Sequence, residues 1–300
     1  MILSSQNNVL AKVFGQEKSI DILSEAGYDA IDLSLFSMTD DNNEFCREGY
    51  RTRAIELGNY AKSRNVFFNQ SHTPFMFNWK NPKEVEERLI PRTIQALEVS
   101  ALAGCKIAVV HPVHHEEYLG HEEERFEQNM KFYRELLPYA KEYDIKIALE
   151  NMFQREKKRK VLGADTCSNP NEFVRYIDEL DDEHFVACLD LGHCGVVGEE
   201  AYNAIRILGH DRLKALHVHD NDYTNDMHML PGIGKMDWEE IMKALAEIRY
   251  DGEFTYEADR FFISMPHAMM PKAVRLMVDM GRYLIGRFDD YQSQTLSSVN

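Results

Sequence analysis

Along the chain, a short apolar run followed by a longer amphipathic run recurs eight times. In the second repeat, AIDLSLF (30–36) precedes the helical pattern YRTRAIELGNYAKSR, and in the fifth, IKIALEN (145–151) precedes NPNEFVRYIDEL. Strands that are apolar on both faces are typical of a parallel sheet covered by helices. Gly27, Gly104 and Gly209 lie where three of the predicted helices should end.

Eight repeats without a linker rich in Pro, Gly or Ser favour a closed barrel over an open sheet. We therefore predict the α/β class and a single (β/α)8 TIM barrel, for which 300 residues is an ordinary size. The catalytic domain is expected to span residues 1–290. The polar segment 291–300 is expected to be a fraying C-terminal tail.

Polar side chains end the third to the eighth predicted strands. Chemistry in such barrels lies at the carboxyl ends of the strands, because the loops that follow them open into one cavity. A strand buried on both faces has no structural need to end in Glu or His, so six such ends indicate a site. In chain order these residues are His72, His111, Glu150, Asp190 with His193 shortly after it, His217 and Glu257.

Four of these residues, from consecutive strands, make a mixed set of oxygen and nitrogen ligands: Glu150, Asp190, His217 and Glu257. Three carboxylates placed together repel one another unless a cation neutralises them. One divalent ion is the simplest way to hold the set together. A structural zinc site of the cysteine type is disfavoured, because the sequence contains no CxxC pair.

The segment LHVHDNDYTNDMHML (216–230) is rich in groups that bind metals or move protons. His217 ends the seventh strand, and Asp226 and His228 follow on a loop, where an Asp-x-His pair can wrap one ion. A solvated loop with a hydrogen-bonded histidine is the alternative, and it stays open. We assign no role to His114, His115, His121, His184, His210 and His267.

Weaker candidates lie in the loops. The basic run QREKKRK (154–160) could contact a phosphate or carboxylate of a substrate, but a solvated loop is the favoured interpretation. Four aromatic residues follow the second and third strands, where they would either wall a substrate pocket or simply pack. They are Phe36, Phe75, Phe77 and Trp79.

The amino-acid composition limits which partners and cellular location are expected. The formal net charge of −16, from 34 basic and 50 acidic residues, disfavours nucleic acid unless a local basic face exists. Five cysteines without a CxxC pair fit reduced thiols in a cytoplasmic protein. Neither a signal peptide nor a membrane span of about 20 apolar residues is expected. Whether the chain forms a homo-oligomer stays open.

Several motifs resemble those of the xylose isomerase-like TIM-barrel superfamily over essentially the whole chain: ALEN with Glu150, CLDLGH with Asp190 and His193, LHVHD with His217, GIGKMDW, and TYEAD with Glu257. That superfamily includes sugar isomerases, ketose 3-epimerases and apurinic-site endonucleases. Similarity to the epimerases implies that Glu150, Asp190, His217 and Glu257 hold one divalent ion, commonly manganese. It also implies that Glu150 and Glu257 act as acid and base, and that His193 contacts substrate.

The endonuclease branch offers a rival hypothesis. In that branch nine residues hold three zinc ions, and the matching positions here are His72, His111, Glu150, Asp190, His193, His217, Asp226, His228 and Glu257. The stretches NMFQREK and LGHCGVVGEE depart from the endonuclease pattern, and the chain is acidic. A DNA substrate is therefore disfavoured, while a multinuclear site stays open.

The expected function is a divalent-metal-dependent isomerase or epimerase of a sugar, sugar phosphate or related polyol ketone. The ion, Mn²⁺ or Zn²⁺ with Mg²⁺ and Co²⁺ as further candidates, would polarise a carbonyl and acidify the adjacent C–H. Either Glu150 or Glu257 would remove that proton to give an enediolate, and the other would return it. DNDYTND stands where several ketose epimerases carry an arginine, so the substrate stays open. The alternative function is a multinuclear zinc hydrolase of phosphodiesters.

Overall fold

The computed structural model describes residues 1–75, 81–113 and 117–297. Eight parallel strands follow one another around a single sheet, which confirms the predicted (β/α)8 TIM barrel. The strands are β1 (Leu3–Gln6), β2 (Ala30–Ser34), β3 (Phe67–His72), β4 (Ile107–Val110), β5 (Lys146–Glu150), β6 (Phe185–Asp190), β7 (Leu213–His217) and β8 (Phe254–Tyr256).

The sheet closes on itself. Strand β8 pairs in parallel with β1, where Leu3 lies opposite Phe254. On its other side, strand β8 bonds to Val218, the residue that directly follows β7. The Val218 N–H donates to the Thr255 carbonyl at 2.9 Å, and the Glu257 N–H donates to the Val218 carbonyl at 3.1 Å. Because β7 and β8 are joined by these bonds, the carboxyl ends of all eight strands surround one opening.

Eight helices surround the sheet: α1 (Gln16–Ala26), α2 (Tyr50–Ser63), α3 (Ile90–Ala103), α4 (Glu122–Tyr143), α5 (Pro170–Leu180), α6 (Ala201–Arg212), α7 (Trp238–Glu247) and α8 (Met270–Ser297). Gly27 and Gly104 end α1 and α3 in the left-handed conformation, and the helical geometry of α6 breaks at Gly209, as predicted. Nowhere in 1–75, 81–113 or 117–297 does a helix have both the length and the apolarity needed to cross a membrane.

Short helices, turns and one hairpin lie in the loops that follow the carboxyl ends of the strands. Two antiparallel strands form a hairpin after β5, and a two-turn helix follows β6. The short elements are the helices Asn8–Phe14, Pro82–Glu84 and Leu191–Val197, the π-helical turn Val85–Leu89, the 3-10 turns Phe36–Thr39, Glu44–Cys46, Asp259–Phe261 and His267–Met269, and the hairpin strands Phe153–Arg155 and Leu162–Ala164.

The hydrophobic core lies in two places. A large cluster fills the space between the sheet and the helices. A small cluster inside the barrel contains Val109, Ala148, Val186, Cys188 and Ala215, which lie on β4 to β7. Buried polar residues of β1, β2, β3 and β8 occupy the same depth on the other side of the barrel. The interior is therefore half apolar and half polar.

The expected polar tail, residues 291–300, begins within helix α8. Helix α8 continues without a break to Ser297. The Tyr291 hydroxyl donates to Glu239 on α7 at 2.7 Å, and its ring packs partly buried against the core. This anchor holds the start of the segment 291–297 against the barrel and lets the helix continue. The division of the chain at residue 290 remains a prediction.

Candidate metal centre

The barrel brings the polar strand ends together. His72, Glu150, Asp190 and His217 are the last residues of their strands, while His111 and Glu257 directly follow theirs. None of these six residues is more than 9% exposed. They contribute to overlapping groups whose ligand atoms lie close enough to share an ion, and Asp32, His72 and His217 form one such group.

The first group consists of Glu150, Asp190, His217 and Glu257. One ligand atom from each lies within 4.8 Å of the ligand atoms of the other three. His217 is central, because its Nδ1 atom lies 3.1 Å from Oε1 of Glu150 and 3.1 Å from Oε2 of Glu257. Four successive strands thus converge on a volume that one ion could fill.

Electrostatics in this group favour a cation. Burial raises the pKa of Glu257 to about 7, against the opposing effects of His217 and His228. Burial also opposes ionisation of Glu150, but His217 and His111 outweigh it and hold the pKa of Glu150 well below its ordinary value. Three carboxylates share one buried space, so a divalent ion would relieve their repulsion. The donor set fits such an ion.

The second group is His72, His111 and Glu150. The Nε2 atoms of the two histidines are 2.7 Å apart, and Nε2 of His111 lies 2.9 Å from Oε2 of Glu150. Burial is the largest influence on His72 and lowers its pKa well below the ordinary value. A neutral imidazole is the form that binds a metal, so this group could also hold an ion.

The third group contains His193, His219, Asp226 and His228. His228 contacts Asp226 at 3.0 Å, and the rings of His219 and His228 stack with centroids 4.1 Å apart. His193 points Nδ1 at the Asn151 carbonyl at 2.8 Å, which leaves Nε2 toward the group. The structure thus places Asp226 and His228 in the same cavity as His193.

Two side chains of the third group form an ion pair. Burial lowers the pKa of His228, but the hydrogen bond and charge of Asp226 outweigh it and raise this pKa to about 10. The pKa of Asp226 is correspondingly low, because His228, His193 and His219 outweigh its burial. Asp226 and His228 are therefore half-buried, charged members of the site, although the tip of their loop at Thr224 and Asn225 is exposed.

Sequence reasoning missed three residues of the site. His219 is fully buried, and its Nε2 lies 3.0 Å from Oδ1 of Asp190. The Oδ2 atom of Asp32 on β2 lies 3.4 Å from Nε2 of His217. Gln6 ends β1 and donates through Nε2 to Oε1 of Glu257 at 3.1 Å. Each sits on or just beyond a strand with the alternation of an inward residue, which was the available signal.

Other residues of the segment 216–230 support the loop. Asp220 is buried and accepts hydrogen bonds from the Gly232 N–H at 2.7 Å and from the Trp238 indole at 2.9 Å. Asp222 accepts from the Asn225 N–H at 2.8 Å within its own turn. Asp220 therefore fixes the path of the chain after β7, and with it the position of His219 beside Asp190.

A cavity of about 460 Å³ opens onto these groups. Two of the predicted aromatic residues line it: Phe36 meets His72 edge-on at 4.4 Å, and Phe75 stacks on His111 at 4.3 Å. Phe77 and Trp79 lie outside the described residues. Two further apolar residues, Met152 and Phe153, also line the cavity, which is large enough for a sugar-sized molecule.

The remaining candidates lie outside the centre. The basic run 154–160 belongs to the hairpin after β5, and its Lys and Arg side chains are exposed. His121, His184 and His210 contact Glu124, Asp182 and the Arg249 carbonyl. His267 meets Phe14 edge-on. His114 and His115 lie outside the described residues.

A family model described as xylose isomerase-like TIM barrel matches residues 20–279. The chain belongs to the xylose isomerase-like TIM-barrel family. A protein of Methanocaldococcus jannaschii designated MJ1311 is 29% identical over 193 residues, which is 62% of this chain and 62% of that protein. The chain thus matches somewhat less than two thirds of that relative's length.

Two further relatives carry functional names. The D-psicose 3-epimerase of Enterocloster bolteae is 26% identical over 252 residues, covering 80% of this chain and 76% of that enzyme. The crystal structure of the IOLI protein with a bound zinc atom has a TM-score of 0.74 at 16% identity. It covers 96% of this chain and 99% of that chain. Structural likeness at this identity shows the shared barrel.

Proposed function

We propose that this chain is a divalent-metal-dependent isomerase or epimerase of a sugar or a related polyol ketone. The observation that carries the proposal is the convergence of Glu150 and Glu257 on His217, each with a carboxylate oxygen 3.1 Å from its Nδ1 atom. Similarity to a D-psicose 3-epimerase and to a zinc-containing barrel supports it.

The first group would hold the ion through Glu150, Asp190, His217 and Glu257. When bound, a divalent ion would supply Lewis acidity that polarises a substrate carbonyl and acidifies the neighbouring C–H. His217 contacts both glutamates through Nδ1, so the three ligands meet at one point. Phe36 and Phe75 wall the cavity beside this group and would exclude water from the reacting carbon.

The two glutamates are the proton carriers in this proposal. A carboxylate oxygen of Glu150 or Glu257 removes the proton from the carbon beside the carbonyl, and the substrate becomes an enediolate. The other glutamate returns a proton to the opposite face or to the neighbouring carbon. Return to the opposite face is epimerisation, and return to the neighbouring carbon is aldose–ketose isomerisation.

Isotope exchange tests the proposal directly. Incubating the metal-loaded protein with a panel of ketoses and ketose phosphates in heavy water should place deuterium on the carbon beside the carbonyl. Glu150→Gln and Glu257→Gln should each abolish the exchange, because each loses a proton carrier and a ligand charge. Glu253→Gln, the same change one residue before β8 and at its opposite end, is the matched control and should retain exchange. Full exchange in metal-stripped protein would refute metal dependence.

One observation favours a second candidate, a multinuclear zinc hydrolase of phosphodiesters. The three groups adjoin, since Glu150 belongs to both the first and the second, and Asp190 contacts His219 of the third. Two or three zinc ions could generate a hydroxide at neutral pH. The net charge of −16 opposes the approach of a DNA duplex.

Metal counting and a cleavage assay separate the two functions. We expect one ion per chain to be sufficient for isotope exchange, and no catalytic cleavage of a duplex that contains an abasic site. Three zinc ions per chain, steady nicking of that duplex and no exchange on any sugar would replace the isomerase proposal with the hydrolase. A single ion with deuterium exchange would exclude the hydrolase.

A further inference from the structure

A polar wall lies one layer below the metal centre, inside the barrel. On β4 to β7, the residues two positions before the strand-end ligands are Val109, Ala148, Cys188 and Ala215. On β8, β1, β2 and β3, residues at the same depth are Thr255, Ser4, Asp32 and Gln70, all at most 1% exposed. Branched apolar residues normally fill a barrel interior, so a buried carboxyl here requires an explanation.

Asp32 is held by Gln70 on β3, at one end of a chain of hydrogen bonds that continues through residues of β8 and β1. The Gln70 Nε2–H donates to Oδ2 of Asp32 at 3.1 Å. Gln70 in turn accepts from the Thr255 hydroxyl at 3.4 Å, and Thr255 accepts from the Asn69 amide at 3.2 Å. The Ser4 hydroxyl completes the chain by donating to Asn69 at 2.7 Å. These bonds fix Asp32 but leave its Oδ1 atom without a hydrogen-bond partner among the described residues.

The same Oδ2 atom that accepts from Gln70 faces the ring of His217, whose Nε2 atom has no hydrogen-bond partner in the described part of the chain. Oδ2 of Asp32 lies 3.4 Å from Nε2 of His217, and both residues are 0% exposed. The opposite ring nitrogen, Nδ1, is the one that faces Glu150 and Glu257. The ring of His72 stacks on the His217 ring with centroids 4.8 Å apart, and the thiol of Cys188, a weak acceptor, is a further polar neighbour.

We propose that Asp32 is a positioning residue that accepts the Nε2–H of His217 and so directs the Nδ1 lone pair between Glu150 and Glu257. A histidine that ligates a metal through one nitrogen carries its proton on the other, and a carboxylate acceptor fixes both tautomer and orientation. The inference rests on the proposed function, because it requires His217 to ligate the ion. Asp32 itself does not line the substrate cavity.

Metal affinity gives the first test. Zinc alone is titrated into metal-stripped protein in competition with a chromophoric chelator. Zinc binding to the first group is identified as the binding step that is lost in Glu257→Gln, and the affinity of this step is compared between variants. Asp32→Asn should weaken that step roughly 10- to 100-fold, because an amide can turn its N–H toward Nε2 and oppose the required tautomer. Thr255→Val breaks the same buried chain without touching His217, and should change the affinity less than about twofold. Equal affinity in Asp32→Asn and wild type would overturn the proposal.

The ring proton gives a test that does not depend on any Asp32 variant folding. In zinc-loaded wild-type protein, the Nε2–H of His217 should appear as a downfield, slowly exchanging proton resonance, identified by its loss in His217→Gln. It should show a nuclear Overhauser effect to the β protons of Asp32. A ring proton that exchanges freely, or that lies near other residues instead, would rule out the contact.

The two proposals fail differently. If the wild-type protein binds no divalent ion, both the proposed function and the role of Asp32 are wrong. If zinc binds and sugars exchange deuterium, but Asp32→Asn changes neither the affinity nor the ring proton, only the role of Asp32 is wrong. If Asp32 had only a structural role, Asp32→Asn would lower the midpoint of unfolding and leave the zinc affinity unchanged.

Discussion

At the scale of single residues, the position of His219 depends on a glycine. Gly192 lies in the first turn of the helix Leu191–Val197, and a Cβ atom there would overlap the His219 ring. His219 is held from the other side by its stacking on His228 and by Asp190. The third group therefore needs the space that only glycine leaves at position 192.

Substituting this glycine should damage the third group. Gly192→Ala is expected to cost about 1–3 kcal/mol of stability, because the added methyl must displace a fully buried ring. The loss is measured by chemical denaturation. Gly286→Ala in α8 is the control, since its Cβ would meet no atom of the described residues within 4 Å and helix propensity favours alanine by up to about 1 kcal/mol. A Gly192→Ala protein as stable as wild type would contradict this account.

At the scale of elements, the loop after the basic hairpin is fixed to the start of α5. Asn169 caps this helix, accepting from the N–H groups of Asn171 and Glu172. The Glu172 carboxylate accepts from the Cys167 N–H at 3.0 Å and bonds to the Tyr118 hydroxyl. Cys167 has a positive φ of 62°, which this contact helps to hold. One carboxyl thus joins the loops that follow β4 and β5 to the helix.

This carboxyl should make stability depend on pH. Burial raises the pKa of Glu172 from its ordinary 4.5 to about 7. The pKa of Glu172 is higher in the folded state than in the unfolded state. The contribution of this carboxyl to the free energy of unfolding is therefore fully present below pH 4.5 and is lost as the pH rises through 7. Glu172→Gln keeps the acceptor oxygen but cannot ionise. Relative to wild type it should gain roughly 1–2 kcal/mol at pH 8, a range reduced for partial exposure, and gain little at pH 5. Denaturation curves at both pH values measure this, and a difference independent of pH would contradict it.

At the scale of the whole molecule, the metal centre exists only in the closed barrel. Its first group takes ligands from the ends of β5, β6, β7 and β8, which are distant in sequence. An unfolded chain cannot place these four side chains within 4.8 Å of one another. Any ion that binds the group therefore favours the folded state over the unfolded one.

Removing the metal should consequently lower thermal stability. At free zinc 100 times its dissociation constant, binding adds about 2.7 kcal/mol to the free energy of unfolding. We expect the melting temperature of chelator-treated protein to rise by several degrees on adding zinc. Glu257→Gln should show a smaller rise, while Glu253→Gln should match wild type. A melting temperature that does not change when zinc is added would argue against a metal site in the folded barrel.

The sequence by itself determined the barrel and the ends of its strands. Eight apolar runs alternating with amphipathic ones permit few other folds, and parallel strands must place their carboxyl ends at one opening. Glu150, Asp190, His217 and Glu257 could therefore be predicted to face one cavity. Their chemistry as ligands and proton carriers remains a proposal, because neither residue type nor position fixes a reaction.

Only the tertiary structure decided which other residues join the four strand-end ligands in the metal centre. In β3 the pairing with β2 shifts by one residue between Ile31 and Asp32, so that Asp32 lies opposite Gln70 and Asn69 is the extra residue. Strand alternation cannot predict such a shift. His219 and His228 stack because the loop after β7 folds back, with His228 at a positive φ of 45° and Asp220 tied to Trp238. Alternation and strand order are local properties of the chain, whereas distances across the barrel depend on register and loop path, which the packing of the whole barrel sets.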